Sequence, residues 1–357
     1  MAKILYGIMG DSRGHVNRAQ IITNEMPEHE YVLIGGQKVH ELKQPGREVV
    51  DVPIPSTYYR DNRVDIAATV KNAAQVIFFN RPVVQRIVDV IKELDPDLIL
   101  TDYEYFTPIA ARRAGRPCIS IDHQHVITHC QYDPPREQQL SRLLTGSVIR
   151  GLYSKADYYL IISFFHLPPQ DQRRAEVLPS VVKRSVTELS PSRGEHVLVY
   201  QTSPTFHRLL PVLEQIDRPF YIYGLGEASP RKNLIFKKPS EAEFLNDLAS
   251  CAFVIANGGH NVLSEALFLG KPVFSFPIAN AYEQFINAYH LEALGYGRYS
   301  LSPTPDPRML IEFESKLADY EAAVSAGCFF GNDTLKAKLE RMIEAGGPPD
   351  QNAESCG

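Results

Sequence analysis

The chain has 357 residues, 44% hydrophobic and 22% charged, an ordinary globular balance with length enough for two α/β domains. Its net charge of −5 argues against nucleic acid as the main partner, because phosphate binding needs a basic surface. Five widely spaced cysteines without a Cys-x-x-Cys pair argue against a disulfide framework and a zinc site, so a reducing compartment is expected.

The first apolar run, residues 3–8, reads as a strand and is too short for the core of a signal peptide. No stretch approaches the roughly 20 apolar residues of a membrane span. A cytoplasmic location is expected, or one peripheral to the inner face of the membrane. A loop at 10–14 leads into a helix starting near His15, and 31–34 reads as the second strand. Residues 64–94 have helical periodicity, broken near Pro82. Asp95-Pro-Asp97 is a helix-to-strand turn, followed by a strand over 96–102, a helix over 108–114 and a strand over 117–121. Residues 136–155 form an amphipathic helix with Leu140, Leu143, Leu144 and Val148 on one side and Arg142, Arg150 and Lys155 nearby. Packing of that side on a core is its expected role, and a membrane-surface helix is the alternative. A strand over 157–163 closes the first half.

Strands alternating with helices predict a parallel sheet covered on both faces. Four prolines between 167 and 194 place an interdomain linker at 167–184. The second half repeats the theme, with strands at 196–201, 220–223, 253–256 and 272–276. Its helices are expected at 261–269 and 281–293. Ser203-Pro204 fits a helix start, and Ser240 with Glu243 fits a capping box. The polar, Pro/Gly-rich end at 346–357 is expected to be disordered.

The densest motif is NGGHNVLSEALFLGKPVFSFPIANAYEQFINA at 257–288. Gly258 and Gly259 end a strand where backbone must approach a ligand closely. The next helix points its free N–H groups and the positive end of its dipole at that loop, which suits a diphosphate. Glu265 offers a carboxylate to ribose hydroxyls. Glu283 and Gln284 offer a carboxylate and an amide to a sugar, and Thr202 and Ser203 add donors or cap a helix. In the first half, Gly10-Asp-Ser-Arg-Gly-His15 follows the first strand, Asp102 ends the third predicted strand, and Asp122-His-Gln-His125 follows the next strand.

The 257–288 run resembles the donor-binding signature of GT-B glycosyltransferases, in particular the MurG-like and UDP-glucuronosyltransferase-like families. The matching positions are Gly258, Gly259, Glu265, Gly270, Pro272, Glu283, Gln284, Asn287 and Ala288. The resemblance implies two Rossmann-like domains with parallel sheets facing across a cleft: an acceptor domain at 1–166 and a nucleotide-sugar domain at 185–345. It implies Glu265 on the ribose, Gly258 to Asn261 around the phosphates, and Glu283 with Gln284 on the donor sugar. Many relatives carry His before the Gly-Gly pair. Asn257 stands there in this chain, and His260 is expected to compensate. His15 is implied as the general base, Asp102 as its orienter, and Arg13, His123 and His125 as acceptor contacts. Asp95-Pro-Asp97 matches the metal motif of another glycosyltransferase class but sits at the wrong end of its strand. No metal or cofactor is therefore expected. The implied partners are a nucleoside-diphosphate sugar, expected to be a UDP-sugar, and an unidentified acceptor such as a lipid-linked or cell-envelope glycan. The alternatives are a nucleotide-sugar hydrolase, suggested by the run from Gly14 to Arg18, and a non-catalytic sugar-nucleotide-binding subunit.

Overall fold

The computed structural model describes residues 1–60, 63–78, 81–201, 206–226 and 229–349. The chain divides into two compact units, one of residues 1–57, 66–181 and 330–357, the other of 58–65 and 182–329.

The first unit is built on seven strands: β1 (Lys3–Ile8), β2 (Glu30–Gly35), β3 (Arg47–Asp51), β4 (Leu98–Asp102), β5 (Ile119–Asp122), β6 (Tyr158–Ile162) and β7 (Ala175–Leu178). They run parallel in the order β3-β2-β1-β4-β5-β6-β7. The inner strands are buried along their whole length, which is why they read as continuous apolar runs rather than alternating ones. Its main helices are α1 (Arg13–Glu25), α2 (Ile66–Phe78), α3 (Arg81–Leu94), α4 (Phe106–Arg113) and α5 (Gln139–Val148). Pro82 falls in the first turn of α3, where its missing N–H costs no helical bond. Strand order reverses between β1 and β4, so the loops after these two strands flank the sheet's switch point, where ligands bind in such folds.

The second unit carries β8 (Val197–Tyr200), β9 (Phe220–Tyr223), β10 (Leu234–Phe236), β11 (Val254–Ala256), β12 (Val273–Ser275) and β13 (Gly297–Tyr299). They are parallel in the order β10-β9-β8-β11-β12-β13, with the switch point between β8 and β11. The helices are α6 (Glu241–Ser250), α7 (His260–Phe268), α8 (Tyr282–Ala293), α9 (Pro307–Ser315) and α10 (Leu317–Ser325). The Ser240 hydroxyl accepts from the Glu243 N–H, the capping expected there. Residues 58–65 belong to this unit, and the Val64 N–H donates to the Ala279 carbonyl at 3.1 Å.

Three features differ from the sequence reading. The segment taken as linker, 167–184, contains β7, a short strand that the flanking prolines disguise. The second unit closes at Phe329, not at 345. The last helix, α11 (Asn332–Glu344), puts Leu335, Leu339 and Met342 into the first unit's core, and Lys336 donates to the α1 carbonyl of Glu25. The edge strands β3, β10 and β13 went unread because β10 and β13 are three residues long and β3 carries three charged residues in five. The expected disordered tail lies outside the described residues from 350 onward.

The amphipathic segment at 136–155 is also corrected. It holds α5, but the leucine side faces outward, and the residues the segment buries are Gly146, Ile149 and Tyr153. No helix among the described residues is long and apolar enough to cross a membrane.

Candidate active site

In the first unit, the register pairs Ile8 with Asp102, so the loop leaving β1 begins beside the end of β4. His15, in the first turn of α1, places Nδ1 2.6 Å from Asp102 Oδ1. Arg18, one turn further along the same face, grips that carboxylate from the other side. Its Nε donates to Oδ2 at 2.7 Å and its Nη2 to Oδ1 at 2.9 Å. All three side chains are buried. Burial works against the Arg18 charge, but Asp102 outweighs it and holds the guanidinium protonated. With an ionised carboxylate at Oδ1, the proton of neutral His15 sits on Nδ1 and the lone pair is on Nε2. The chemistry available is that of an oriented imidazole base.

The sequence reading missed Arg18 as part of this network. Its signal was the spacing from His15, three residues on a helix, with Asp102 the acid it needed. Tyr103, directly after Asp102, adopts a left-handed backbone at φ 56°, uncommon for an aromatic residue. Its ring lies parallel to His15 at 5.8 Å and 4°, and stacks on Tyr153 at 4.0 Å. Glu104 follows, buried, and its carboxylate caps α4 by accepting from the Phe106 and Thr107 N–H groups.

A second imidazole–carboxylate pair lies nearby in sequence. Asp122 accepts from the His125 backbone N–H at 2.9 Å and from its Nδ1 at 2.6 Å, and Ser120 donates to the same carboxylate. Burial pushes the Asp122 carboxyl up, but His125 and these donors prevail and hold it well below the usual range. His125 Nε2 meets the Ser154 hydroxyl at 3.1 Å. His123 Nδ1 donates to the Ile162 carbonyl at 2.8 Å. Both imidazoles are buried, so the structure gives them internal partners where the sequence suggested acceptor contacts. Arg13 is exposed and pairs with Glu41 at 3.1 Å.

In the second unit the glycine loop leaves β11 at the switch point. Asn257 is a buried tie, donating to Gln201 Oε1 at 2.7 Å and to the Phe276 carbonyl at 3.2 Å. That explains Asn at this place: the amide joins the ends of β8, β11 and β12 and is committed to protein partners. The Asn287 amide donates to the Gly258 carbonyl at 2.8 Å. Gln284 Oε1 accepts from the Ile278 N–H at 2.9 Å and the Gly258 N–H at 3.5 Å. So the oxygen of Gln284 shapes the loop. Thr202 and Ser203 lie outside the described residues.

His260, buried, begins α7 with Nε2 3.4 Å from Ser264 Oγ. Asn261 is half-buried beside it, and Glu283 is half-buried in the first turn of α8. Glu265, half-buried on α7, has its carboxyl raised to about 7. Burial is the main cause; Lys183 opposes it and Glu241 adds to it.

The two glycines have different jobs. A Cβ on Gly258 would stand 2.2 Å from the Gln284 backbone carbonyl, while one on Gly259 would meet nothing within 4 Å. Gly258 therefore lets the loop pack on α8, and Gly259 keeps the entry of α7 open. Gly258→Ala is expected to cost about 2–3 kcal/mol or more in urea unfolding, because backbone must move. Gly259→Ala, at an N-cap with ordinary dihedrals, should cost ~1 kcal/mol or less in the same measurement.

The sequence family described as glycosyl transferase family 1 matches residues 2–318. An uncharacterized glycosyltransferase of Methanosarcina mazei is 26% identical over 361 residues, spanning 87% of this chain and 88% of that protein. Among solved structures, the spinosyn forosaminyltransferase SpnP superposes with a TM-score of 0.66 at 12% identity, covering 96% of this chain and 99% of that one. Medicago truncatula UGT71G1, solved with UDP-glucose, gives 0.63 at 10%, covering 97% and 98%. These likenesses show the two-domain GT-B fold.

Proposed function

The chain belongs to glycosyl transferase family 1 and is a glycosyltransferase, and from that premise we propose that it transfers a sugar from a nucleoside diphosphate, a UDP-sugar, to an acceptor hydroxyl without a metal ion. The observation that carries the donor half is the open side of Gly259 at the start of α7, with Glu265 one and a half turns further on. The first-turn N–H groups of α7 have no acceptor within the helix and face a region of positive potential, the setting a diphosphate takes. Glu265 accepts the ribose hydroxyls, and Glu283 with the Gln284 amide nitrogen holds the sugar.

The first unit supplies the base. His15 Nε2 takes the acceptor proton as that oxygen bonds to the anomeric carbon and the bond to the β-phosphate oxygen breaks. The diphosphate leaves with its charge stabilised at the α7 N-terminus. The proton stays on His15, whose imidazolium faces Asp102. A glycan or lipid-linked hydroxyl is the acceptor class we favour.

A thermal-shift screen of nucleotides and nucleotide sugars identifies the donor first, since a ligand of the native state raises the melting temperature with concentration. His15→Ala should then bind that donor as the wild type does while kcat falls ~10²–10⁴-fold. Full turnover by His15→Ala would remove the base assignment. Diphosphate release at a rate no acceptor raises would favour the hydrolase, and binding without any turnover the non-catalytic subunit.

A further inference from the structure

The apolar side of α5 faces solvent. Leu140, Leu143, Leu144 and Val148 are 67%, 61%, 57% and 46% exposed. On α3 a comparable stripe, Val84, Ile87, Val88 and Ile91, is buried to 5% or less. Helical apolar residues at i, i+3, i+4 and i+8 form one stripe, so these four make a contiguous apolar ridge rather than scattered exposed side chains. Within the helix only Gly146 is buried, and the turn that follows it buries Ile149 and Tyr153.

The charge around the ridge says what covers it. Residues 136–155 contain Arg136, Arg142, Arg150 and Lys155 against Glu137 alone, and no Asp or Glu occurs from 138 to 156, in a chain whose net charge is −5. Arg136 and Arg150 are exposed; Arg142 lies over the Tyr132 ring at 4.4 Å. None of the four cations pairs with a carboxylate among the described residues. A second copy of this chain seated on the ridge by two-fold symmetry would set these cations against themselves. An anionic lipid surface satisfies both halves of the pattern: leucines enter the acyl boundary and arginines meet the headgroups.

We propose that the outward face of α5 docks this protein on anionic membrane surfaces. The proposal is independent of the donor and base assignments, because its readout is binding and not turnover. The full chain is mixed with vesicles of phosphatidylcholine alone, or of equal parts phosphatidylcholine and phosphatidylglycerol, and sedimented. The wild type should pellet with the phosphatidylglycerol vesicles and release as salt is added. Leu143→Ser/Leu144→Ser should lower that partition at least tenfold with unchanged thermal unfolding, and Leu140→Ser alone should move it in the same direction if the double variant folds poorly. Arg136→Gln/Arg150→Gln should weaken binding to the anionic vesicles only. Wild type left in the supernatant with phosphatidylglycerol overturns the proposal. So does a leucine variant that pellets like wild type, or a wild-type dimer in analytical ultracentrifugation that Leu143→Ser/Leu144→Ser converts to monomer.

Discussion

Asp102→Asn is expected to lower kcat by about 10³-fold while leaving donor affinity unchanged. The carboxylate oxygen 2.6 Å from His15 Nδ1 fixes which ring nitrogen carries the proton. An amide presents a donor there as readily as an acceptor. Where its NH₂ faces Nδ1, the imidazole moves its proton to Nε2 and loses the lone pair that the acceptor hydroxyl needs. The same substitution strands Arg18, which is 3% exposed and holds both carboxylate oxygens. Breaking a buried ion pair from one side costs about 3–5 kcal/mol, because the remaining charge has no counterpart. Stability should therefore fall with activity. Arg18→Met/Asp102→Asn separates the two effects: urea unfolding should recover most of the lost stability, and kcat should not recover. An Asp102→Asn enzyme with wild-type kcat would show that His15 needs no orienting acid.

Glu265→Gln should stabilise the unliganded protein at pH 8 and weaken its grip on the donor. The wild-type carboxyl is raised from 4.5 to about 7 by burial. A carboxyl raised on folding binds its proton more tightly in the native state, so its ionisation opposes folding. That opposition is absent below about pH 4.5, grows between 4.5 and 7, and is complete above 7. Its size is on the order of 3 kcal/mol. The amide carries no charge to desolvate, so the variant and wild type should unfold alike at pH 4 and diverge as pH rises. Donor binding should move the other way. Two ribose hydroxyls donating to a carboxylate form charge-assisted bonds, and an amide offers one acceptor in their place, an expected loss of ~10-fold or more in affinity at pH 8. Wild-type affinity should itself decline as pH falls below about 7. A stability difference that does not change with pH, or an unchanged donor affinity, would put Glu265 outside the nucleotide site.

The sequence by itself determined the central strands and the strand, glycine loop and helix run at 254–268. Buried parallel strands must be apolar along their whole length, and a tight loop that packs against backbone before a helix must have glycine. Both constraints act within a few residues, so both leave local marks, as at β1, β4 and 257–261. Tertiary structure alone decided the rest, because packing partners are distant in sequence. It set Gly258 against the backbone of α8 and left Gly259 open, where the motif shows only two glycines. It spent Asn257 and the Gln284 oxygen on holding the loop, and gave His123 and His125 internal partners. It brought Arg18 to an aspartate 84 residues away. It returned α11 to the first unit because its apolar stripe completes that core, and it turned the leucines of α5 outward, which periodicity cannot tell from inward. A helical stripe records that a face is apolar; only the surrounding fold supplies, or withholds, something for it to pack against.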